Sequence, residues 1–194
     1  MASNETLLQY LLVLLFLGFT AGCNNDKPIT NQQSRVERVE NVAKAYFSTF
    51  AERNDWEKFC SFYKEDMEFE DIILQLKLDS LWQFKRFYNW QGDGDNFQKL
   101  SPEQDHLILE SLVANDSVAV GKVSFQPFYY YGKKIEPEWG MAGTIWLYFD
   151  RNLKIRKQID WIEYDKEVLE SVVKRCRENG HEALPEWLDL SREK

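Results

Sequence analysis

The chain has 194 residues, and 32 acidic residues against 24 basic ones give it a formal net charge of −8. An acidic surface argues against nucleic acid as a partner and against electrostatic adhesion to anionic lipid. The two histidines, His106 and His181, lie far apart and form no cluster with the three cysteines. We therefore expect no metal site and no cofactor.

The first 22 residues predict a lipoprotein signal peptide. Residues 7–19 are almost entirely apolar, and the small residues Ala21 and Gly22 directly precede Cys23. A lipoprotein signal peptidase admits only small side chains there, and the Cys23 thiol would then carry a diacylglycerol. We expect a domain anchored by lipid in a bacterial cell envelope, in the periplasm or on the cell surface. An ordinary cleaved signal peptide or an uncleaved anchor is the alternative.

One domain is expected after the leader. Residues 23–34 are polar beyond the cysteine and predict a flexible tether, followed by a domain at 35–180 and a tail at 181–194. Cys60 and Cys176 remain in this part of the chain, each in a predicted helix. In an exported protein they could form a disulfide, and two buried, unpaired thiols are the alternative.

The sequence of the domain predicts the order helix, helix, strand, helix, four strands and helix. Apolar residues at intervals of three and four mark helices that begin near residues 35, 56, 81 and 166. Alternating patterns mark strands at 67–74, 106–114, 118–126, 139–149 and 154–164. This order predicts an α+β fold, in which a long curved antiparallel sheet wraps the helices as a cone with an apolar interior. Such a cone is a natural pocket for a small molecule.

Three segments resemble the nuclear-transport-factor-2-like superfamily, and within it the SnoaL-like branch. They are VAKAYFSTFAERNDWEKFCSFYKEDMEFED, AVGKVSFQ and FDRNLKIRKQIDWIEYD, in that order along the chain. The superfamily includes ketosteroid isomerases, polyketide cyclases, scytalone dehydratase and limonene epoxide hydrolase, and also binding domains without chemistry. The resemblance therefore implies the cone fold and leaves the function open.

Comparison with the ketosteroid isomerases implies that this chain keeps their general base and lacks the donors that stabilise their oxyanion. Their general base lies in a Glu-Asp pair on the first strand, which Glu70 and Asp71 match. Their oxyanion tyrosine falls on Phe47, while Tyr46 beside it is expected to face elsewhere, and the second oxyanion donor falls near Ile145. Because such donors are worth several kcal/mol of barrier, steroid isomerisation is not expected.

Comparison with the epoxide hydrolase leads to a related conclusion. Its water-activating Asp on the last strand matches Asp160, while its Arg and Asp on a middle strand fall on Lys122 and Ser124. Its water-orienting Tyr and Asn fall on Phe69 and Asp71. The acid–base pair across the epoxide ring is thus not reproduced, and that activity is not expected either.

Strand alternation is expected to bring the candidate residues together inside the cone. Asp71 and Asp160 are the candidate catalytic carboxylates, because burial would raise their pKa toward neutrality. Alternatively they are solvated at strand ends, or buried in a purely structural ion pair with Lys122. The expected ligand-binding residues are Phe69, Lys122, Ser124, Trp139 and Tyr164.

A pocket-forming fold without a complete catalytic set favours a surface-tethered domain that binds a small, mainly apolar or aromatic ligand. One alternative is a lyase, isomerase or hydrolase that uses Asp71 or Asp160 as general base. Another is an interaction module whose sheet pairs with a second copy, since members of the superfamily commonly dimerise through this sheet.

Overall fold

The computed structural model of the protein describes residues 33–88, 97–130, 132–136 and 141–164, with the separate positions 166, 168 and 169. Among the described residues, no helix is long and apolar enough to cross a membrane. The predictions for the leader, Cys23, the tether up to residue 32, Trp139, Cys176, the body of the last helix and the tail all lie outside the described residues.

Two helices, α1 (Arg35–Glu52) and α2 (Trp56–Ser61), come first along the chain. A third, α3 (Leu81–Tyr88), follows the first two strands. Helix α1 begins with a capping box. The Ser34 hydroxyl accepts a hydrogen bond from the Glu37 amide, and the Glu37 carboxylate accepts one from the Ser34 amide. Arg53, in the left-handed conformation (φ 49°), ends α1.

The strands form two sheets. They are β1 (Tyr63–Asp71), β2 (Leu76–Leu78), β3 (Phe97–Lys99), β4 (Leu107–Ala114), β5 (Val118–Phe125), β6 (Phe128–Tyr130), β7 (Lys133–Ile135), β8 (Ala142–Phe149) and β9 (Ile155–Glu163). Six of them form one sheet in the order β2-β1-β9-β8-β5-β4, and the other three form a small sheet in the order β3-β6-β7. Strands β1 and β9 pair in parallel, whereas the other neighbours pair antiparallel.

One face of the six-stranded sheet packs on α1, and the core lies between them. Both layers contribute large side chains that are fully buried, among them Tyr46, Phe47, Phe59, Met67, Phe69, Phe84, Ile145, Leu147 and Ile155. The α+β fold is confirmed, with helices covered by a curved and mainly antiparallel sheet.

The first strand differs from its prediction at both ends. It was expected at 67–74, whereas β1 runs from Tyr63 to Asp71 and a turn follows. The turn forms because the Asp71 carboxylate accepts a hydrogen bond from the Leu74 amide, 2.8 Å away, and Gln75 adopts a positive φ of 54°. The apolar residues 72–74 therefore do not continue the strand.

The small sheet lies where the sequence predicts loops. Strand β3 precedes the predicted strand at 106–114, and β6 and β7 lie between the predicted strands at 118–126 and 139–149, so all three fall where no strand is expected. Aromatic packing accounts for its place, since the Phe97 ring lies 5.3 Å from the Phe128 ring and 4.7 Å from the His106 ring. Three short strands are thereby held against the start of β4.

Candidate functional site

Two aspartates lie side by side at one end of the parallel pair. Asp71 is the last residue of β1, Asp160 lies in β9, and the two are direct register partners. Asp71 is 0% exposed and Asp160 is 1% exposed. The expectation that both lie inside the fold is confirmed, and the alternative that they are solvated at strand ends is wrong.

Asp160 is held by two neutral donors. The Tyr88 hydroxyl donates to Oδ2 at 2.8 Å, and the Gln158 side-chain amide donates to Oδ1 at 2.8 Å. Burial, and after it the neighbouring charge of Asp71, raise the pKa of Asp160 to about 7, against the effect of the two hydrogen bonds. Asp160 is thus a carboxylate that can gain or lose a proton near neutral pH.

Asp71 combines a structural bond with a second hydroxyl partner. Its Oδ1 closes the turn by accepting from the Leu74 amide, and its Oδ2 accepts a hydrogen bond from the Tyr164 hydroxyl. Burial raises the pKa of Asp71 above its usual value, while these hydrogen bonds act in the opposite direction. Neither aspartate forms an ion pair with a lysine or arginine among the described residues.

A chain of hydroxyls continues from Asp160 into the core. We call Tyr46, Tyr63, Tyr88 and Gln158 the tyrosine–glutamine network. The Gln158 carbonyl oxygen accepts from Tyr46 at 3.1 Å and from Tyr63 at 2.6 Å, and its amide nitrogen donates to the Tyr88 oxygen at 3.2 Å. Burial is the main cause that raises the pKa of all three tyrosines well above 10, so their hydroxyls keep their hydrogens.

The sequence prediction for Tyr46 is wrong. Tyr46 was expected to face elsewhere, yet it is fully buried and donates to Gln158. Its neighbour Phe47 is buried too, and its ring fills the space over Gly121. Because α1 is covered on both of these sides, adjacent helix positions both reach the interior. The placement of Gln158 on the same strand face as Asp160 was the available signal for the rest of the network.

Lys122 and Ser124 do not join the aspartates, which corrects the expected convergence. The Lys122 side chain is 60% exposed and forms an ion pair with Glu110 at 2.7 Å. A hydrogen bond from Ser124 helps to hold the pKa of the same Glu110 carboxyl below its usual value, after that from Lys122. The inward positions of β5 are taken by Ala119, Gly121, Val123 and Phe125, so alternation turns Lys122 and Ser124 outward. The alternative of an ion pair between Lys122 and the aspartates is therefore wrong as well.

Of the remaining candidates, Phe69 lies in the core and Tyr164 lies beside the aspartate pair. Phe69 is buried, and its ring packs 5.3 Å from Phe84 and 5.8 Å from Tyr88. Tyr164 is half-buried and contacts Asp71. The described residues hold no group of three or more potential metal ligands. A surface pocket of about 360 Å³ lies beside β1 and β2 and is lined mainly by charged side chains, and neither Asp71 nor Asp160 lines it.

Comparisons with known proteins agree with this architecture. No family model matches the chain, and no curated protein matches it. Among solved structures, a protein of Shewanella putrefaciens described as a SnoaL-like polyketide cyclase is 15% identical, with a TM-score of 0.51 over 75% of this chain and 90% of that one. A protein of Shewanella denitrificans with the same description is 18% identical, with a TM-score of 0.51 over 69% of this chain and 98% of that one.

A de novo designed protein with a curved β-sheet is 13% identical, with a TM-score of 0.50 over 73% of this chain and 98% of that one. Because a designed protein is as similar as two natural ones, the likeness concerns the backbone and not a shared chemistry. The fold of this chain is the α+β cone of SnoaL-like, nuclear-transport-factor-2-like proteins.

Proposed function

We propose that the domain binds a small, mainly apolar ligand inside the cone, and that the Asp71–Asp160 pair orients a polar group of that ligand. The observation that carries the proposal is a pair of adjacent, fully buried carboxylates with hydroxyl and amide partners and no ion pair to a described cation. Burying two carboxylates side by side costs stability, so their presence in an aromatic interior supports a functional role.

A thermal-shift screen of the purified protein against a library of small metabolites tests this proposal. A ligand that binds only the folded state stabilises it by about 2.7 kcal/mol at a hundredfold excess over its dissociation constant. Binding should be lost in Asp160→Asn and kept in Lys122→Met, the matched control on the outer face of the sheet. Equal binding by both variants would place the ligand elsewhere and contradict the proposal.

Acid–base catalysis by Asp160 is the second candidate, and the specific observation in its favour is the burial of that carboxyl beside Asp71, which raises its pKa to about 7. A base of that pKa is half ionised near neutral pH, where general-base catalysis works best. For any ligand that is turned over, kcat/KM should rise through a single ionisation near pH 7. It should fall by about 10²–10⁴-fold in Asp160→Asn. Unchanged turnover in that variant would exclude the mechanism.

Pairing of two copies through the outer face of the sheet is an alternative role. It is supported by two large aromatic side chains on that face: Trp161 is 51% exposed and Trp146 is 37% exposed. Val120 and Ile159 are the register partners of Trp146, which extends an apolar row across three strands. Sedimentation equilibrium should then give a dimer for the wild type and a monomer for Trp161→Lys. A monomeric wild type at high concentration would rule this role out.

A lipid anchor at Cys23 would place the domain on a membrane of the cell envelope. The support is the apolar run at 7–19 and the small residues before Cys23. Mass spectrometry of the mature N-terminus should find a diacylated cysteine, and Cys23→Ala should release the protein from the membrane fraction. An unmodified N-terminus at another residue would favour an ordinary signal peptide.

A further inference from the structure

Gln158 is the only group that contacts both the Asp160 carboxylate and the buried tyrosines Tyr46 and Tyr63 among the described residues. It lies two residues before Asp160 on the same face of β9 and is 0% exposed. We propose that Gln158, locked in one orientation by Tyr46 and Tyr63, is a positioning residue that aims its amide hydrogen at Asp160.

The bonding capacity of the glutamine supports a single orientation. A side-chain amide offers two lone pairs on oxygen and two hydrogens on nitrogen. The oxygen of Gln158 accepts from both tyrosine hydroxyls, and the nitrogen donates to Asp160 at 2.8 Å and to Tyr88 at 3.2 Å. All four positions are therefore used.

The reversed orientation of the Gln158 amide would be unfavourable at the end that faces Asp160. It would turn the Gln158 oxygen toward the carboxylate oxygen of Asp160, so that two acceptors would face each other in a buried site. The nitrogen would then meet the Tyr46 and Tyr63 oxygens, which can accept, so the tyrosines alone do not forbid the reversal. What they contribute is two donors that the amide oxygen satisfies only in the observed orientation.

The hydroxyls remain donors because they are deeply buried. Tyr46 is 0% exposed and Tyr63 is 5% exposed, so neither hydroxyl can exchange its partner for bulk water. The contact of 3.2 Å between the two hydroxyls is longer than the bond of 2.6 Å from Tyr63 to Gln158. Since Tyr63 has one hydrogen to donate, the shorter contact to Gln158 is the bond it makes.

The test measures the ionisation of Asp160 itself. The carboxyl carbon of Asp160 is titrated by NMR in the full chain, in the wild type and in Tyr46→Phe, Tyr63→Phe and the double variant. Without the two hydroxyls the amide can reverse when Asp160 is protonated and accept the carboxyl hydrogen, which favours the neutral form of Asp160. We expect the midpoint of the Asp160 titration to rise by about one pH unit in the double variant, a tenfold loss of acidity.

Matched controls separate positioning from general loss of structure. Tyr148→Phe removes a hydroxyl from the outer face of β8 and should leave the midpoint unchanged. Gln158→Leu removes the amide donor directly and should raise the midpoint at least as much as the double variant. If the double variant titrates as the wild type does while Gln158→Leu shifts, the tyrosines do not lock the amide and the inference is overturned.

The consequence for binding rests on the proposed function, and the titration does not. If the midpoint shifts and the affinity of a screened ligand falls in the same variants, the network positions Asp160 for that ligand. If the midpoint shifts while the affinity of that ligand is unchanged, the positioning stands and the proposed role of Asp160 in binding fails.

Discussion

Asp71 and Asp160 are direct partners across the parallel strands β1 and β9, so two carboxylates share one buried face of the sheet. Each is held by a tyrosine hydroxyl, Tyr164 for Asp71 and Tyr88 for Asp160. Because parallel partners keep their side chains on the same side of the sheet, the pairing of β1 with β9 holds both aspartates on one face. The backbone therefore keeps the two side chains next to each other.

This arrangement predicts that the Asp160 carboxyl costs the folded state progressively more stability as the pH rises from about 4 to about 7. The pKa of Asp160 is about 7 in the folded state and about 3.9 in the unfolded chain, so between these values the folded protein holds a proton that the unfolded chain has released. One such group changes the free energy of unfolding by on the order of 4 kcal/mol over that interval. Urea unfolding of the wild type and of Asp160→Asn at pH 4.5 and pH 7.5 measures the change as a difference, in which the opposing contribution of His106 cancels.

Asp160→Asn should gain stability relative to the wild type between pH 4.5 and pH 7.5, since the asparagine stays neutral. Asp71 has a raised pKa as well, and its contribution is present in both proteins. Asp79→Asn, at an exposed position before α3, is the matched control and should keep the pH dependence of the wild type. A difference in unfolding free energy between the wild type and Asp160→Asn that is the same at pH 4.5 and pH 7.5 would contradict the assignment of a raised pKa to Asp160.

Periodicity predicted part of this site and could not predict the rest. Alternation along β9 correctly places Gln158, Asp160 and Ile162 on one face, because all three are buried. The same rule applied to β5 gives two sets of residues without saying which set faces inward. Lys122 and Ser124 were assigned inward, although Val123 and Phe125 occupy that side.

The helical and turn contributions to the site depend on tertiary contacts that no local pattern carries. Tyr46 enters the network because α2 and the start of β1 cover that side of α1, where the Tyr46 ring packs against Phe59 and Tyr63. Asp71 ends its strand through a hydrogen bond to an amide three residues later, within an apolar stretch that favours continuation of the strand. Both features follow from how the elements pack, which the spacing of apolar residues in one element does not encode.

His106 should lower the free energy of unfolding as the pH falls. This effect is opposite in sign to that of Asp160. Burial, followed by the nearby charges of Arg53 and Lys99, lowers the pKa of His106 well below 6.5. The folded protein therefore keeps a neutral imidazole, while the unfolded chain binds a proton below pH 6.5. His106 should cost the folded state up to about 1.4 kcal/mol for each pH unit below 6.5.

The comparison with His106→Phe isolates this effect, because a phenyl ring suits a position that is surrounded by aromatic rings. The difference in unfolding free energy between the wild type and this variant is measured at pH 7.5 and pH 5.0. The variant should gain relative to the wild type at pH 5.0. The Asp160 contribution is common to both proteins and cancels, so an unchanged difference would contradict the prediction.

Two glycines of the sheet should differ in their tolerance of a methyl group. A Cβ at Gly121 would lie 2.3 Å from the ring carbon Cζ of Phe47, whereas a Cβ at Gly143 would lie 2.1 Å from the backbone oxygen of Trp161. A ring can shift and a paired strand cannot. We expect Gly121→Ala to cost about 1–3 kcal/mol and Gly143→Ala to cost more.

A second substitution tests the cause of the cost at Gly121. Combining Gly121→Ala with Phe47→Leu shortens the side chain that the new methyl group meets, so the two effects should be less than additive. The same Phe47→Leu change combined with Gly143→Ala should be additive, because Gly143 contacts the backbone of β9. Additivity in both pairs, measured by urea unfolding, would show that the Phe47 ring is not the obstacle.

Arg35 joins the start of α1 to two hairpin turns. Its guanidinium donates to three backbone carbonyls, those of Asp116 at 2.8 Å, Asp150 at 2.7 Å and Arg151 at 3.1 Å. The Asp116 carbonyl belongs to the turn between β4 and β5, and the other two belong to the turn between β8 and β9. A lysine keeps the charge but cannot reach both turns with a planar fork, so Arg35→Lys should cost about 1–2 kcal/mol.

Arg38→Lys, at an exposed position one turn further along α1, is the matched control and should change stability by less than about 0.5 kcal/mol. Amide hydrogen exchange locates the effect. The Leu153 amide, which donates to Asp150 within the β8–β9 turn, should exchange faster in Arg35→Lys, as should the Asn115 amide of the β4–β5 turn. If both substitutions cost the same and neither turn exchanges faster, Arg35 contributes through its charge alone and the two turns are held independently of α1.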